Sequence, residues 1–416
     1  MKRLLAVLAF VLTLPILAAE PAPSDANLWL QWRGPTRDGQ VSGSTWPSNF
    51  KGLEQLWRVD LAEGYPGPIV AADRVFVAET KDRKEEIVRC LDRKTGKQLW
   101  EYGWPGSMTV PFFAARNGSW IRSTPAYDGE CLYVAGMRDV LVCLDGKTGK
   151  ERWRADLMAR FKSELPTFGF VCSPLVDGDA VYVQAGGAFV KLNKKTGETI
   201  WRTLDDKGGM MGSAFSSPTI ATLQGRRQIL VQTRTTLAGV DETDGKVLWS
   251  QKIPAMRGMN ILTPTTYKDS IFTSAHSAKT YRFDVLPTNT PSIKTAWELP
   301  MDGYMSSPVL VGKYAYLHLR NQRVACIDVE QGKTMWTTSQ TFGKYWSMAA
   351  QGDRILALDE RGILYLLKAN PDKFELLDER KISNQETWGH LAVAGDEIYV
   401  RELKGLIAFR WKQADK

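Results

Sequence analysis

Short runs in which apolar and polar side chains alternate recur along nearly the whole chain, and Gly or Asp turns separate them. The run at 180–183 (AVYV) follows the turn Asp177-Gly178, and the run at 131–134 (CLYV) follows the turn Asp128-Gly129. Alternation with a period of two, rich in β-branched and aromatic residues, is typical of β-strands and not of helices. The pattern therefore predicts an all-β protein.

A phrase that ends in Trp repeats along these strands and sets their period. The phrases CLDRKTGKQLW and CLDGKTGKERW end at Trp100 and Trp153, and the phrase is degenerate or absent at the other positions. The repeating tryptophans, spaced by 43, 53, 48, 48, 48 and 39 residues, are Trp57, Trp100, Trp153, Trp201, Trp249, Trp297 and Trp336. A period of this length made of short strands is typical of a solenoid or a propeller. We expect each Trp to lie between adjacent blades, with its N–H donating to a carbonyl.

The sequence contains eight repeats, and their strands predict a closed ring. The opening strands begin near Gly67, Thr124, Ser173, Ser217, Thr263, Ser307, Ser347 and His390. The eighth repeat ends at Trp411 after three strands, whereas the stretch 53–61, which contains Trp57, is a strand without a repeat. Pairing the two removes the exposed edge that an open array would leave. We therefore predict an eight-bladed β-propeller of four-stranded antiparallel blades over residues 53–412, closed by the N-terminal strand.

The first 52 residues do not share the repeat. Lys2 and Arg3 precede an apolar run from Leu4 to Leu17, a pattern that indicates a secretory signal over residues 1–19. The run is shorter than the roughly 20 residues of a membrane-spanning helix. We expect an exported, soluble, monomeric chain in the bacterial periplasm or cell envelope, without a transmembrane segment. Residues 20–52 contain three Trp and are expected to pack on the propeller as a strap, along its outside or across a face.

Charge and cysteine content narrow the function only slightly. The net charge of +8 is spread over turn lysines without a basic run, so a solvated surface is expected and no nucleic-acid partner. Of the five cysteines, Cys90, Cys143 and Cys326 share one slot of the repeat phrase, where packing as a small apolar side chain is expected. A bridge between Cys131 and Cys143 stays open, because sequence does not show the geometry that it needs.

The Leu-Asp-x-x-Thr-Gly-Lys-x-x-Trp phrases resemble the repeat of the pyrroloquinoline-quinone-like (PQQ-like) propeller family, from about Leu53 to Trp411. The stretch at 32–39 (WRGPTRDG) also resembles exported bacterial members. The family includes quinoprotein dehydrogenases and a scaffold lipoprotein of the outer-membrane barrel-assembly machinery. The dehydrogenases use an adjacent Cys-Cys disulfide and a Glu, Asn and Asp set on calcium. This sequence has no Cys-Cys pair, and none of those residues can be placed on it by motif.

The loops that lead into the opening strands are the candidate site, since in a propeller they gather around one mouth of the channel. Long loops on a rigid frame are where binding residues tend to lie. The candidate residues are Trp104, Phe112, Phe113, Arg116, Trp120, Arg122, Phe170, Phe215, Arg257, Asn260, Tyr304, Tyr345, Trp346, Trp388 and His390. Two interpretations stay open: an aromatic funnel for a planar ligand or a peptide, or a plug that packs blade against blade.

We expect a non-catalytic scaffold that binds an envelope protein or peptide through this aromatic face, without cofactor or metal. The alternative is a quinoprotein-like alcohol or sugar dehydrogenase with PQQ and Ca²⁺ at the channel mouth. The three histidines, at positions 276, 318 and 390, lie on different repeats, so neither a metal cluster nor a Ser-His-Asp set is indicated.

Overall fold

The computed structural model describes residues 28–206, 214–288 and 292–412, so the expected signal peptide and the start of the strap lie outside it. The described residues form 32 strands in eight four-stranded antiparallel sheets. Helix within these ranges is limited to α1 (Leu157–Phe161) and two 3-10 turns (Phe112–Asn117 and Met256–Gly258). None of these described helices has the length or apolar character needed to cross a membrane. The predicted all-β, eight-bladed propeller is confirmed.

The strands follow one another from the channel outward in each blade. Blades 1 to 4 are β2–β5 (Ile69–Val70, Arg74–Lys81, Glu85–Asp92, Gln98–Pro105), β6–β9 (Ala126–Tyr127, Cys131–Gly136, Val140–Asp145, Glu151–Asp156), β10–β13 (Leu175–Asp177, Ala180–Ala185, Ala188–Asn193, Thr199–Thr203) and β14–β17 (Thr219–Leu223, Arg226–Gln232, Thr236–Val240, Val247–Lys252). Blades 5 to 7 are β18–β21 (Thr265–Tyr267, Ser270–Ser274, Thr280–Leu286, Ser292–Leu299), β22–β25 (Val309–Val311, Tyr314–His318, Val324–Asp328, Lys333–Thr337) and β26–β29 (Trp346–Gln351, Arg354–Asp359, Ile363–Lys368, Leu376–Lys381). Blade 8 consists of β30–β32 (Ala392–Ala394, Glu397–Glu402, Gly405–Trp411) and β1 (Leu53–Asp60).

The ring closes through the pairing of β1 with β32. The two strands are antiparallel, with Leu53 opposite Trp411 and Asp60 opposite Gly405. A bulge after Gln55 shifts the register and brings Trp57 opposite Ala408. The outer strand pairs of the other seven blades have the same irregularity. The first strand of the repeat region thus completes the last blade, as the sequence predicts.

The repeating tryptophans connect neighbouring blades. In six cases the indole N–H donates to a backbone carbonyl of the next blade: Trp57 to Arg93 (2.9 Å), Trp100 to Gly146 (3.2 Å), Trp153 to Lys194 (2.9 Å), Trp201 to Glu242 (3.4 Å), Trp297 to Val329 (2.9 Å) and Trp336 to Asn370 (2.9 Å). Trp249 is the exception among the seven. Its N–H donates instead to Oε1 of Gln228 in its own blade, at 2.8 Å.

The Gly of the Thr-Gly turn lies against the Trp of the preceding blade. A Cβ atom on Gly149 would come within 2.6 Å of the Trp100 ring, and one on Gly197 within 2.5 Å of the Trp153 ring. Gly149 also has φ +73°, a conformation that side chains with a Cβ rarely adopt. The Gly of the phrase therefore serves both the turn and the contact between blades.

The cysteine slot lies directly opposite the docking Trp in the sheet. Cys90 pairs with Trp100, Cys143 with Trp153 and Cys326 with Trp336. All five cysteines of the described residues are buried and free, so Cys131 and Cys143 form no disulfide here. In these three blades a small buried side chain lies beside the indole ring, whereas Lys191 and Arg282 hold the same position opposite Trp201 and Trp297.

The Ser and Thr residues of the Ser/Thr-Pro pairs connect the blades around the channel. Each hydroxyl accepts a hydrogen bond from the backbone N–H at the start of the preceding blade: Thr124 from Gly67 (2.9 Å), Ser173 from Thr124 (3.2 Å), Ser217 from Ser173 (3.0 Å), Thr263 from Ser217 (3.0 Å) and Ser307 from Thr263 (3.1 Å). These bonds satisfy buried amides where the chain leaves the loops and enters the inner strands.

Residues 28–41 cross the channel. Trp29 pairs with Val70 of blade 1, and the carbonyl of Leu30 accepts from the N–H of Tyr127 in blade 2. Farther along, Gln40 forms a parallel bridge with Ala350 of blade 7. Residues 28–41 of the strap therefore run through the ring between its inner strands, whereas Phe50 lies at the outer strand of blade 7, where its N–H donates to Asp378.

Trp104 lies outside the mouth loops, contrary to expectation, because β5 continues past Trp100 to Pro105. It is opposite Glu86 in the β4–β5 ladder and is only 3% exposed. The Glu86 carboxyl group is itself buried and accepts a hydrogen bond from the N–H of Met137 in blade 2 at 2.6 Å. Burial raises the pKa of Glu86 to about 7.

We predict that Gly149→Ala destabilises the protein more than Gly225→Ala. Both glycines have φ near +70°, but a Cβ on Gly225 would meet no atom within 4 Å. The backbone strain of about 1–2 kcal/mol is therefore common to both variants, whereas Gly149→Ala adds about 1–3 kcal/mol of overpacking against Trp100. Urea unfolding measures the difference, and equal midpoints for the two variants would contradict the blade contact.

We predict that Glu86→Gln makes stability less dependent on pH. The folded-state pKa of about 7 lies above the usual value near 4.5, so the stabilisation is present below that lower value and is lost as pH rises toward 7. Between pH 5 and pH 8 the free energy of unfolding of the wild-type chain should fall by about 2 kcal/mol more than that of the variant. Burial also raises the pKa of Asp139 to about 7. Asp139 therefore makes the stability of both proteins fall with pH, and the variant keeps that part of the dependence.

The matched control is Glu85→Gln, because Glu85 is the exposed neighbour on the same strand. Urea unfolding at both pH values should give the control the slope of the wild type. An unchanged slope for Glu86→Gln would show that Glu86 titrates normally in the folded chain.

Candidate functional site at the channel mouth

A cavity of about 210 Å³ lies where the mouth loops enter the inner strands. Its wall includes hydroxyl groups of the Ser/Thr-Pro belt together with aromatic and aliphatic side chains from most blades. Of the residues predicted from the sequence, six line it: Arg122, Phe215, Tyr345, Trp346, Trp388 and His390. The structure thus brings together part of the predicted ring.

The strap forms the floor of this cavity. Trp32 lines it, and the guanidinium groups of Arg33 and Arg37 lie 5.5 and 5.6 Å from the centre of the Trp32 ring. His390 approaches the same ring edge-on at 5.9 Å. Cations held near an aromatic face are favourable in a desolvated site. The floor is therefore an indole ring with two guanidinium groups close to it.

Arg33 and Arg37 fasten the floor to opposite sides of the ring. Arg37 donates to the carbonyls of Ser173 (3.0 Å) and Pro174 (2.8 Å) in blade 3, and Arg33 donates to the carbonyl of Pro308 in blade 6. Burial lowers the pKa of each guanidinium to about 10, so both remain charged at neutral pH. Arg37 also donates to Oε1 of Gln31 at 3.2 Å, and Asp38 interacts electrostatically with Arg33. The bonds to the blade carbonyls hold the strap in place.

One wall of the cavity is a stack of aromatic rings. Tyr65 stacks on Trp388 at 4.6 Å between ring centres, and Trp388 contacts Tyr345 at 3.7 Å. The guanidinium of Arg122 lies 5.9 Å from the Tyr65 ring. Burial lowers the pKa of Arg122 to about 10, while the Tyr65 and Tyr345 phenols oppose that change. The wall thus combines flat apolar surface with one cation.

Two other predicted residues flank this wall. Trp120 packs edge-on against Tyr65 at 5.5 Å, and Tyr304 stacks on Tyr345 at 5.8 Å. Neither lines the cavity. They support the rings that do.

The rim of the mouth is an exposed aromatic run. Phe112 is 92% exposed and Phe113 is 55% exposed, both on the 3-10 turn between blades 1 and 2. Phe113 contacts Phe168 at 6.3 Å, and Phe168 contacts Phe215 at 5.7 Å. Because Phe168 and Phe215 line the cavity, the run leads from solvent into it.

Besides Trp104, three predicted residues lie elsewhere, and the side chain of Arg116 lies outside the described residues. Phe170 packs in the core between blades 2 and 3. Asn260 is buried, and its amide donates to the carbonyls of Thr233, Arg234 and Ile253, a structural role. Arg257 is exposed on a 3-10 turn at φ 54° and does not line the cavity. Loop position alone did not reveal which side chains turn inward.

Two important residues were missed by the sequence reasoning. Tyr65 lies in the Gly64–Gly67 loop before the opening strand of blade 1, the position that Trp388 holds before blade 8. Treating the β1–β2 connection as one more mouth loop would have identified it. Nothing in the sequence indicated that the strap places Trp32 inside the channel.

The cavity offers little for acid–base or metal chemistry. Burial, together with the charge of Arg33, lowers the pKa of His390 to about 3, so the imidazole is neutral at physiological pH. No carboxylate occurs among the residues found to line the cavity. The described part of the chain contains no group of three His, Cys, Asp or Glu side chains that could hold a metal.

A calcium-bound quinone does not fit this lining. Calcium takes about six to eight oxygen ligands, with carboxylates prominent among them. The described lining supplies hydroxyls and aromatic rings, and its charged group is Arg122, a cation. The donor set therefore disagrees with the dehydrogenase alternative.

The chain is similar to known proteins in sequence and in fold. The family model described as outer membrane protein assembly factor BamB matches residues 84–338. The protein of that name from Moranella endobia (strain PCIT) is 24% identical over 355 residues, which cover 81% of this chain and 83% of the relative. The one from Yersinia pestis is 20% identical over 343 residues, covering 80% and 81%.

Solved structures agree on the fold. BamB from Moraxella catarrhalis superposes with a TM-score of 0.64 at 16% identity, covering 88% of this chain and 99% of that one. A quinohemoprotein alcohol dehydrogenase from Comamonas testosteroni gives 0.56 at 13% identity, covering 94% and 82%. At these identities the likeness shows the propeller alone, but the family model spans more than half of the chain. The chain therefore belongs to the family of outer membrane protein assembly factor BamB, and the resemblance to PQQ-like propellers is confirmed.

Proposed function

We propose that this protein is a non-catalytic scaffold of outer membrane protein assembly, exported to the bacterial cell envelope. It binds a protein or peptide partner through the mouth of its channel. Its membership of the BamB family supports the process, and the geometry of the mouth supports the binding face.

The observation that carries the proposal is an exposed aromatic rim beside a cavity with a closed floor. Phe112 and Phe113 stand in solvent, and the ring contacts through Phe168 continue into the cavity above Trp32. Exposed aromatic groups next to a desolvated pocket are typical of the centre of a protein–protein interface. A channel open at both ends would give no such anchor, whereas here Trp32 of the strap lies across the channel and lines the cavity.

The same cavity favours binding over chemistry. A catalytic site needs a group that titrates near the working pH or a metal that polarises the substrate. His390, the imidazole of the lining, has a pKa near 3 and accepts no proton at neutral pH. The residues that line the cavity are thus suited to hold a ligand.

We predict that the double variant Phe112→Ala/Phe113→Ala loses the envelope partner. Removing two aromatic anchors should weaken binding by about 2 kcal/mol or more, roughly thirtyfold. The fold should be unaffected, since both side chains are exposed. The measurement is quantitative recovery of cross-linked partners from envelope fractions, together with the abundance of outer-membrane barrel proteins in cells that carry only the variant.

The matched control is Ile200→Ala, because Ile200 is also 50% exposed but lies on the outer strand of blade 3. It should keep wild-type recovery and wild-type barrel abundance. Undiminished partner recovery by the double variant would exclude the rim as the binding face.

A further inference from the structure

Two indole N–H groups of residues that line the cavity lack an acceptor. Those of Trp346 and Trp388 are buried and form no hydrogen bond with any described residue, whereas the Tyr65 and Tyr345 hydroxyls interact with Trp120 and Tyr304. Leaving a buried donor without a partner costs about 1–3 kcal/mol, and folded proteins satisfy nearly all such groups. Two such donors beside one cavity indicate a ligand that brings acceptors.

The charges around the cavity favour an anion. Arg122 lines it, and Arg33 and Arg37 lie directly beneath its Trp32 floor. Asp38 lies away from this cavity and lines, together with Arg37, a second cavity of about 460 Å³ farther along the inner strands. The charged group in the lining of the mouth cavity is therefore the cation Arg122.

The rest of the wall is suited to a flat or apolar group. The stack of Tyr65, Trp388 and Tyr345 is one side, and Phe168 and Phe215 are another. A ligand that fits must therefore present an oxyanion close to an apolar or aromatic body. A phosphate dianion is usually met by a cluster of Arg side chains. One lining guanidinium among neutral N–H and O–H donors better matches the single charge of a carboxylate.

We infer that the mouth cavity binds a carboxylate carried beside an apolar or aromatic group. Such a group can come from the chain end of a partner polypeptide or from a small aromatic acid. The inference rests on the proposed function only in taking the mouth as the binding face. Arg122, which also donates to the carbonyl of Gly118, faces the carboxylate with its charge. The two indole N–H groups donate to the carboxylate oxygens, and the aromatic stack holds the adjoining group.

The test is isothermal titration of the purified mature chain with three probes: N-acetylglycylphenylalanine as free acid, the same dipeptide as amide, and phenylacetate. The free acid should bind at least tenfold more tightly than the amide. Arg122→Gln should remove at least tenfold of the affinity for the acid and leave that for the amide unchanged. Arg226→Gln, a half-exposed arginine of blade 4 away from the cavity, should bind all three probes like the wild type.

The results distinguish the two sources of the carboxylate. They also distinguish failure of this inference from failure of the scaffold proposal. Tighter binding of the dipeptide acid than of phenylacetate assigns the site to a chain end, and equal or weaker binding assigns it to small acids. Equal affinity for acid and amide in the wild type, or no binding of any probe at millimolar concentration, overturns the inference, and neither result depends on a variant folding. If the titration fails while the rim variant still loses its partner, the scaffold proposal stands without the carboxylate site.

Discussion

The pairing of β1 with β32 is the constraint on which the rest of the molecule depends. It completes the eighth blade and thereby holds the segment before β1 at the junction of blades 7 and 8. There Trp46 and Phe50 stack on Trp411, each at 6.1 Å. Blade 7 has Asp378 where the other blades carry the docking Trp, and its carboxylate accepts from the N–H of Phe50. The strap therefore replaces the missing blade contact, and its preceding residues cross the channel.

Because residues 28–41 cross the channel, the mouth of the ring contains a cavity with a floor. Burying a charged side chain costs several kcal/mol unless polar groups surround it, and the carbonyls of blades 3 and 6 provide them for Arg37 and Arg33. The carbonyl dipoles solvate these charges, and the Asp38 carboxylate offsets part of the charge of Arg33. The segment that crosses the channel thus also places two guanidinium groups beside the indole floor of the cavity.

More of the fold than of the candidate site could be predicted from the sequence. Closure was predictable because the repeat phrase is local and the orphan strand with Trp57 had only one free sheet to complete. The lining was not, because it depends on where strands end and which way loop side chains turn. Trp104 was wrongly assigned to a mouth loop because β5 continues beyond Trp100. Asn260 was wrongly assigned to the site because its amide donates to buried carbonyls. Trp32 could not be found at all, since no local pattern predicts that a strap enters a channel.

Hydrogen–deuterium exchange of the mature chain tests the central claim most directly: the ring is sealed by β1 and floored by the strap. The amides of β1 and those of Trp29 and Val41, which bond to Val70 and Ala350, should exchange as slowly as the amides of β31 in the middle of blade 8. Exchange of residues 28–60 at the rate of an unstructured peptide, while β31 stays protected, would contradict both the closure and the pocket.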